Sequence, residues 1–165
     1  MKSRWIALCL AILSTTLIGT AVTMASDTDT VSCTATFTQL GVTVSPNTYD
    51  FGFGQANDWS NTSSGSGYFT VTNTGNRDEK IYIEASPDAG TQWSLAETNG
   101  DDTAVMKALG GDLTSWTSIH EQKVLKSSLA SGGTVTFDLA FQFPSSTSTY
   151  DRQHFTVTIS AVAAS

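Results

Sequence analysis

The side chains with reactive chemistry are few in this 165-residue chain, and their spacing is unhelpful to catalysis. Of its two histidines, His120 is followed by Glu121 but by no second histidine four residues on, and no cysteine pair exists for a zinc site. Asp151 and His154 lie close together and serine is abundant, so the residue types of a Ser-His-Asp triad are present. No Gly-x-Ser-x-Gly elbow presents a nucleophile, and Asp151, Arg152 and His154 read as a polar turn before the last strand. Paired carboxylates for glycoside hydrolysis could come from Asp101, Asp102, Asp112 or Glu121, and oxygen ligands for calcium from Asp27/Asp29 or Asp101/Asp102. None has the regular spacing of a known loop, and acids in an acidic protein are usually solvated. The expectation is a protein with no catalytic residue, no metal and no cofactor.

Aromatic residues offer binding chemistry instead. Trp59, Tyr68, Tyr82, Trp93, Trp116 and Tyr150 could stack on sugar rings, although core and interface use is the commoner fate of such residues. Tyr68 and Tyr82 fall opposite the apolar positions of their strands, and Trp59 lies in the Gly/Asn/Ser-rich stretch 54–67. Trp59, Tyr68 and Tyr82 are therefore the candidate exposed patch, with glycans as the partner. Asn61-Thr62-Ser63 in that stretch has the form of an N-glycosylation acceptor.

The elements that must carry these residues are strands. Val42 and Val44 alternate with Thr43 and Ser45, Tyr49, Phe51 and Phe53 with Asp50 and Gly52, and Phe69 and Val71 with Thr70 and Thr72. Ile81, Ile83 and Ala85 alternate with Lys80, Tyr82 and Glu84; Trp93 and Leu95 follow. The strongest runs come late: Val135, Phe137, Leu139, Phe141, Phe143, then Phe155, Val157, Ile159, Ala161. Turn signals such as Asn73-Thr-Gly-Asn76 and Ser131-Gly-Gly133 separate them, the pattern of an antiparallel sandwich. One segment departs from it: Asp101-Asp102-Thr103, Ala104 to Leu109 and Gly110-Gly111 read as an acidic N-cap, one or two helical turns and a glycine stop. Residues 112–129 read as an irregular connection with one short strand near Val124.

Lys2 and Arg4 precede an apolar run from Trp5 to Ile18, and Thr23-Met24-Ala25 places small residues before a cut at Ser26. Residues 1–25 thus read as a secretory signal peptide, and the product is expected outside the cell, released or held at the surface, with no membrane insertion once the leader is gone. After position 25 there are six basic against fifteen acidic residues, a net charge of −9 with histidine neutral, which argues against nucleic acid as a partner. Serine and threonine supply 47 residues and only 14% of the chain is charged, the makeup of a hydroxyl-rich outer surface. Beyond the leader Cys33 stands alone, so no disulfide forms within the chain. Its place among Val31, Ala35 and Phe37, alternating with Ser32, Thr34 and Thr36, puts it on the apolar face of a strand, where a buried thiol is expected.

The run Val42-Thr-Val-Ser-Pro46, then Tyr49-Asp-Phe-Gly52, Phe69-Thr-Val-Thr-Asn-Thr-Gly75-Asn76 and Ile81-Tyr-Ile83 resembles the opening half of ASH-type immunoglobulin-like domains over about residues 42–85. The resemblance implies an immunoglobulin-like fold and says little about role. Through Trp93-Ser94-Leu95, the turn Ala130-Ser-Gly-Gly133 and Pro144 the chain is also similar to bacterial WxL surface domains, without their second Trp-x-Leu. As a leader-bearing single sandwich with a spare N-terminal strand it resembles camelysin-like and TasA-like secreted fibre subunits.

The fold expected is all-β: an immunoglobulin-like antiparallel sandwich over residues 42–165 with one short helix in a connection, preceded by an extension, 26–41, holding an extra strand. That strand, with its stripe Val31, Cys33, Ala35 and Phe37, must complete its own sheet or add to a neighbour's edge. Strand addition would make the chain a non-catalytic structural or cell-surface protein, a subunit whose partners are itself or other surface proteins. A carbohydrate-binding adhesin module is the competing class.

Overall fold

A computed structural model describes residues 32–62 and 67–165. The leader expected at 1–25 and Val31 of the expected extra strand lie outside the described residues. Two compact units are distinguished, residues 1–35 and residues 36–165, and the second carries every strand below.

Among the described residues ten strands form two sheets facing each other as a sandwich: β1 (Val42–Ser45), β2 (Trp59–Asn61), β3 (Phe69–Asn73), β4 (Glu79–Pro87), β5 (Ser94–Leu95), β6 (Thr103–Gly110), β7 (Leu113–Ser118), β8 (Lys123–Leu129), β9 (Thr134–Gln142) and β10 (Phe155–Ala163). The larger sheet runs β1-β3-β9-β6-β5, with β2 also paired to β9 and β7 to β6. The smaller sheet is β10-β4-β8, all antiparallel. Strand β9 is the centre of the larger sheet because its alternation is the cleanest: Val135, Phe137, Leu139 and Phe141 point into the core and meet Ile81, Ile83, Val157 and Ile159 of the smaller sheet.

Among the described residues there is no helix, and the segment expected to be one is β6. Alanine, methionine, lysine and leucine favour helices weakly, by fractions of a kcal/mol per residue (about 0.7 at most), and tertiary pairing outweighs that. Here β9 takes one edge of β6, β7 the other, and Ala104, Met106 and Ala108 enter the core as every second residue of a strand. Gly110 and Gly111 form the turn into β7 at φ 137° and 57° rather than a helix stop. A Cβ on Gly110 would lie 2.4 Å from the Thr136 carbonyl oxygen, so the close approach of β6 to β9 requires glycine there.

Three further expectations change. Residues 112–129 are not irregular: β7, polar and mostly exposed, precedes β8, which contains the strand expected near Val124. The stretch Tyr49–Phe53 forms no strand, and Phe53 is fully exposed. Trp59, read as part of a loop, opens β2, whose three residues pair with Ala140 to Gln142 at the end of β9.

The β6–β7 turn is fastened to β8 by Asp112, whose carboxylate accepts from Lys126 Nζ at 2.7 Å and from the Ser127 amide at 2.8 Å. The Lys126 bond, then the Ser127 bonds, hold the Asp112 carboxyl down at about 2 from the ordinary 3.8. A lowered folded-state value contributes stability in full above 3.8 and loses it as pH falls through about 2. Asp112→Asn is therefore expected to cost under about 1 kcal/mol, since the pair is partly open to water. Urea unfolding against pH should show a constant deficit near neutrality that closes between those two values, and a deficit persisting unchanged into acid would disprove the assignment.

Candidate functional site

The sandwich is not closed along its whole length. A cleft of about 1030 Å³ enters between the sheets, reaching core residues Phe137, Phe141, Val157 and Ile159 and walled by the segments 46–56 and 144–155. Aromatic rings build its lining: Phe141 stacks on Phe51 at 5.3 Å and meets Phe143 at 5.2 Å and Phe155 at 5.3 Å, with Trp93 beyond at 6.5 Å. Among the described residues nine-residue β10 pairs with β4 on one side only, so a long strand edge borders this aromatic surface. Val157 and Ile159 on it are only partly buried, although core packing of such side chains is worth about 1.5–3 kcal/mol each.

The two walls are tied at the surface. Arg152 Nη1 donates to Asp50 Oδ2 at 3.0 Å, and Asp50 Oδ1 accepts from the Gly52 amide at 2.9 Å. The Gly52 amide first, then Arg152, keep the Asp50 carboxyl below the usual carboxylate range. The 144–155 wall is fixed from below by Asp102, which sits at φ 48° and accepts from the amide and hydroxyl of Ser148 and from Thr147 Oγ1. These bonds, Ser148 foremost, lower the Asp102 carboxyl too. Asp102, read as a possible calcium ligand or catalytic acid, thus has its oxygens engaged by serine and threonine, and Asp101 bonds Ser146 Oγ.

Residues 32–41 form no strand, contrary to the extra strand expected there. Cys33, Ala35 and Phe37 are exposed, Phe37 at 91%, so the thiol expected to be buried is not. β3 has both edges taken, by β1 and by β9, so the segment does not join it. Phe37 to Gly41 is instead tied end-on to the β3–β4 turn. Asn76 Nδ2 donates to the Phe37 carbonyl at 2.7 Å, Gln39 and Asn76 exchange bonds at 2.9 and 3.0 Å, and the Gly41 amide donates to buried Glu79 Oε1 at 2.8 Å. That turn lies beside Ala163, at the opposite end of β10 from the cleft walls near Phe155.

The three aromatic residues expected to form a patch do not come together. Trp59 is on the outer face of the larger sheet, Tyr82 on the outer face of the smaller one, under Lys80 Nζ at 5.1 Å, and Tyr68 packs edge-on against Tyr49 at 5.2 Å. Trp59 has a different companion, Trp116 on β7, with Lys107 between them. Nothing in the spacing of positions 59 and 116 signals this, because it depends on β6 and β7 being strands. His120 Nδ1 bonds Ser118 Oγ at 2.9 Å with Glu97 and Glu121 at 3.8 and 3.9 Å, but Ser118 is buried and offers no open nucleophile. Asp151 and His154 share no side-chain bond among the described residues. No family model, curated protein or solved structure matches the chain.

Proposed function

We propose that this chain is a secreted, non-catalytic structural subunit of an extracellular fibre or surface assembly, built on an immunoglobulin-like sandwich. The segment carrying Val31, Cys33, Ala35 and Phe37 in one copy adds as a strand along β10 in the cleft of another. One observation carries this reading: the same chain exposes Cys33, Ala35 and Phe37 and leaves an aromatic-lined cleft of about 1030 Å³ beside a strand edge that no described residue pairs with. Exposed rings and open cores of this kind mark interaction sites in soluble proteins, and extended segments dock on strand edges through backbone hydrogen bonds with alternate side chains filling pockets. The ties at Phe37 to Gly41 favour exchange between copies, since they hold the segment's root away from the cleft walls. The ASH-like opening and the leader at 1–25 agree with it.

Deleting residues 26–39 is expected to leave a folded monomer that no longer associates, and a peptide of residues 28–40 should bind that monomer and restore a filled cleft. Size-exclusion chromatography across a concentration series reads both. A deletion that unfolds or aggregates the chain would mean the segment serves its own sheet. A parent protein monomeric at every concentration and solution condition would end the fibre reading. The competing class, a carbohydrate-binding module, is favoured by the Trp59–Trp116 face rather than by the patch first expected.

A further inference from the structure

The second cleft, on the outer face of the larger sheet, is small and open, about 240 Å³, and lined by Trp59, Asn61, Lys107, Trp116 and Ala140. Its construction follows from register. Asn61 faces Ala140 across β2 and β9, and Ala140 faces Lys107 across β9 and β6, so the three stand in one row on the outer face. Ala140 is the short member and makes the floor. Trp59, one step along β2, and Trp116, from β7 beyond Lys107, rise on either side, both with more than a third of their surface exposed. Lys107 Nζ lies 5.2 Å from the centre of the Trp59 ring. Lys123, Lys126 and Arg152 each have a carboxylate partner, whereas Lys107, like Arg77 and Lys80, has none within ion-pair distance among the described residues. Of these three cations Lys107 is the one that lines a cleft between two tryptophans.

We infer that this cleft binds an acidic pyranose, a hexuronate unit of a glycan, with its apolar ring face against an indole, its carboxylate on Lys107 and a hydroxyl on the Asn61 amide. The inference rests on the carbohydrate reading of this face and is independent of strand exchange. The volume is below the roughly 300 Å³ at which enclosed small-molecule pockets begin, which suits one sugar ring of a longer chain lying open to solvent. One cation matches the one carboxylate of a single hexuronate ring. The shell is held in place: Asp138, buried on the same face, accepts from Thr62 Oγ1 just after β2, so Trp59 is carried by a fastened strand.

The test uses the full secreted chain, titrated by calorimetry and tryptophan emission with an oligogalacturonate, the neutral galactose oligomer of equal length, and oligoglutamate. The expected result is oligogalacturonate binding at least about tenfold tighter than the neutral oligomer, with oligoglutamate a poor competitor. Lys107→Gln should abolish that preference and keep the residual neutral binding, and Trp116→Ala should weaken both sugars about tenfold. Lys80→Gln, on the other sheet, and the 26–39 deletion should bind as the parent does. Equal affinity for acidic and neutral sugars would overturn the inference while leaving the carbohydrate reading in place. Absence of binding to either sugar would overturn both. Oligoglutamate competing as well as the sugar, or Lys80→Gln showing the same loss as Lys107→Gln, would assign the effect to charge alone and overturn it as well.

Discussion

Phe137→Ala is expected to lower stability by about 3 to 5 kcal/mol, the range for removing a fully enclosed phenylalanine. The residue is 2% exposed at the middle of β9, stacked on Phe69 at 5.1 Å, and it lies where β3, β9 and β6 all pair. Collapse around the lost ring is restricted, because the backbone on both sides is locked in sheet. Urea unfolding of the variant gives the measurement, and a Phe137→Ala cost below about 1 kcal/mol would mean that the ring does not face the smaller sheet.

Asp138→Ala is expected to be nearly as damaging, at about 3 kcal/mol or more, through unpaired donors instead of a cavity. Its carboxylate is 1% exposed and accepts from Thr62 Oγ1 at 3.0 Å, the Gly67 amide at 2.9 Å and the Tyr68 amide at 2.9 Å. One side chain of β9 thus fixes the end of β2 and the entry to β3. Alanine leaves these donors without that acceptor in a place water reaches poorly. Asp138→Asn keeps one acceptor oxygen and turns an amide toward a donor, so an intermediate loss is expected. Trp59 emission should change in both variants along with stability, since β2 is released with the carboxylate. Stability close to the parent's in Asp138→Ala would show that these bonds are not holding the sheet.

The strands with alternating large apolar residues were legible in the sequence, and those without were obscured. β3, β4, β9 and β10 announce themselves by Phe, Val and Ile at every second position, although the same alternation at Tyr49 to Phe53 forms no strand. The Asn73-Thr-Gly75 turn was legible as well, and the structure shows why the residue types matter: Asn73, fully buried, accepts from the Gly75 amide and donates to the Arg77 and Leu129 carbonyls. β6 misleads because Val105 on its outer side is as buried as the inward residues beside it. Val105 and Met106 are enclosed alike, so period two is lost among good helix formers. β7, LTSWTS, is polar because it lies at the sheet margin. The candidate sites were legible only as ingredients. The stripe at 31–37 and the abundance of tryptophan are sequence properties, whereas the cleft and the Trp59–Lys107–Trp116 arrangement arise from strands far apart in the chain.

The root of the N-terminal segment and the walls of the large cleft lie at opposite ends of β10. If copies join by strand exchange, each contact is between unlike surfaces, and repeating it produces an open row instead of a closed ring unless the rotation happens to return on itself. Such a row has direction. One terminus ends in an unfilled groove and the other in an unused tail, so the two would differ in what they bind, how fast they lengthen and how they are stopped. A loose tail peptide would cap the first terminus alone, and a tail-deleted subunit would seal the second, which gives separate control over length from either side.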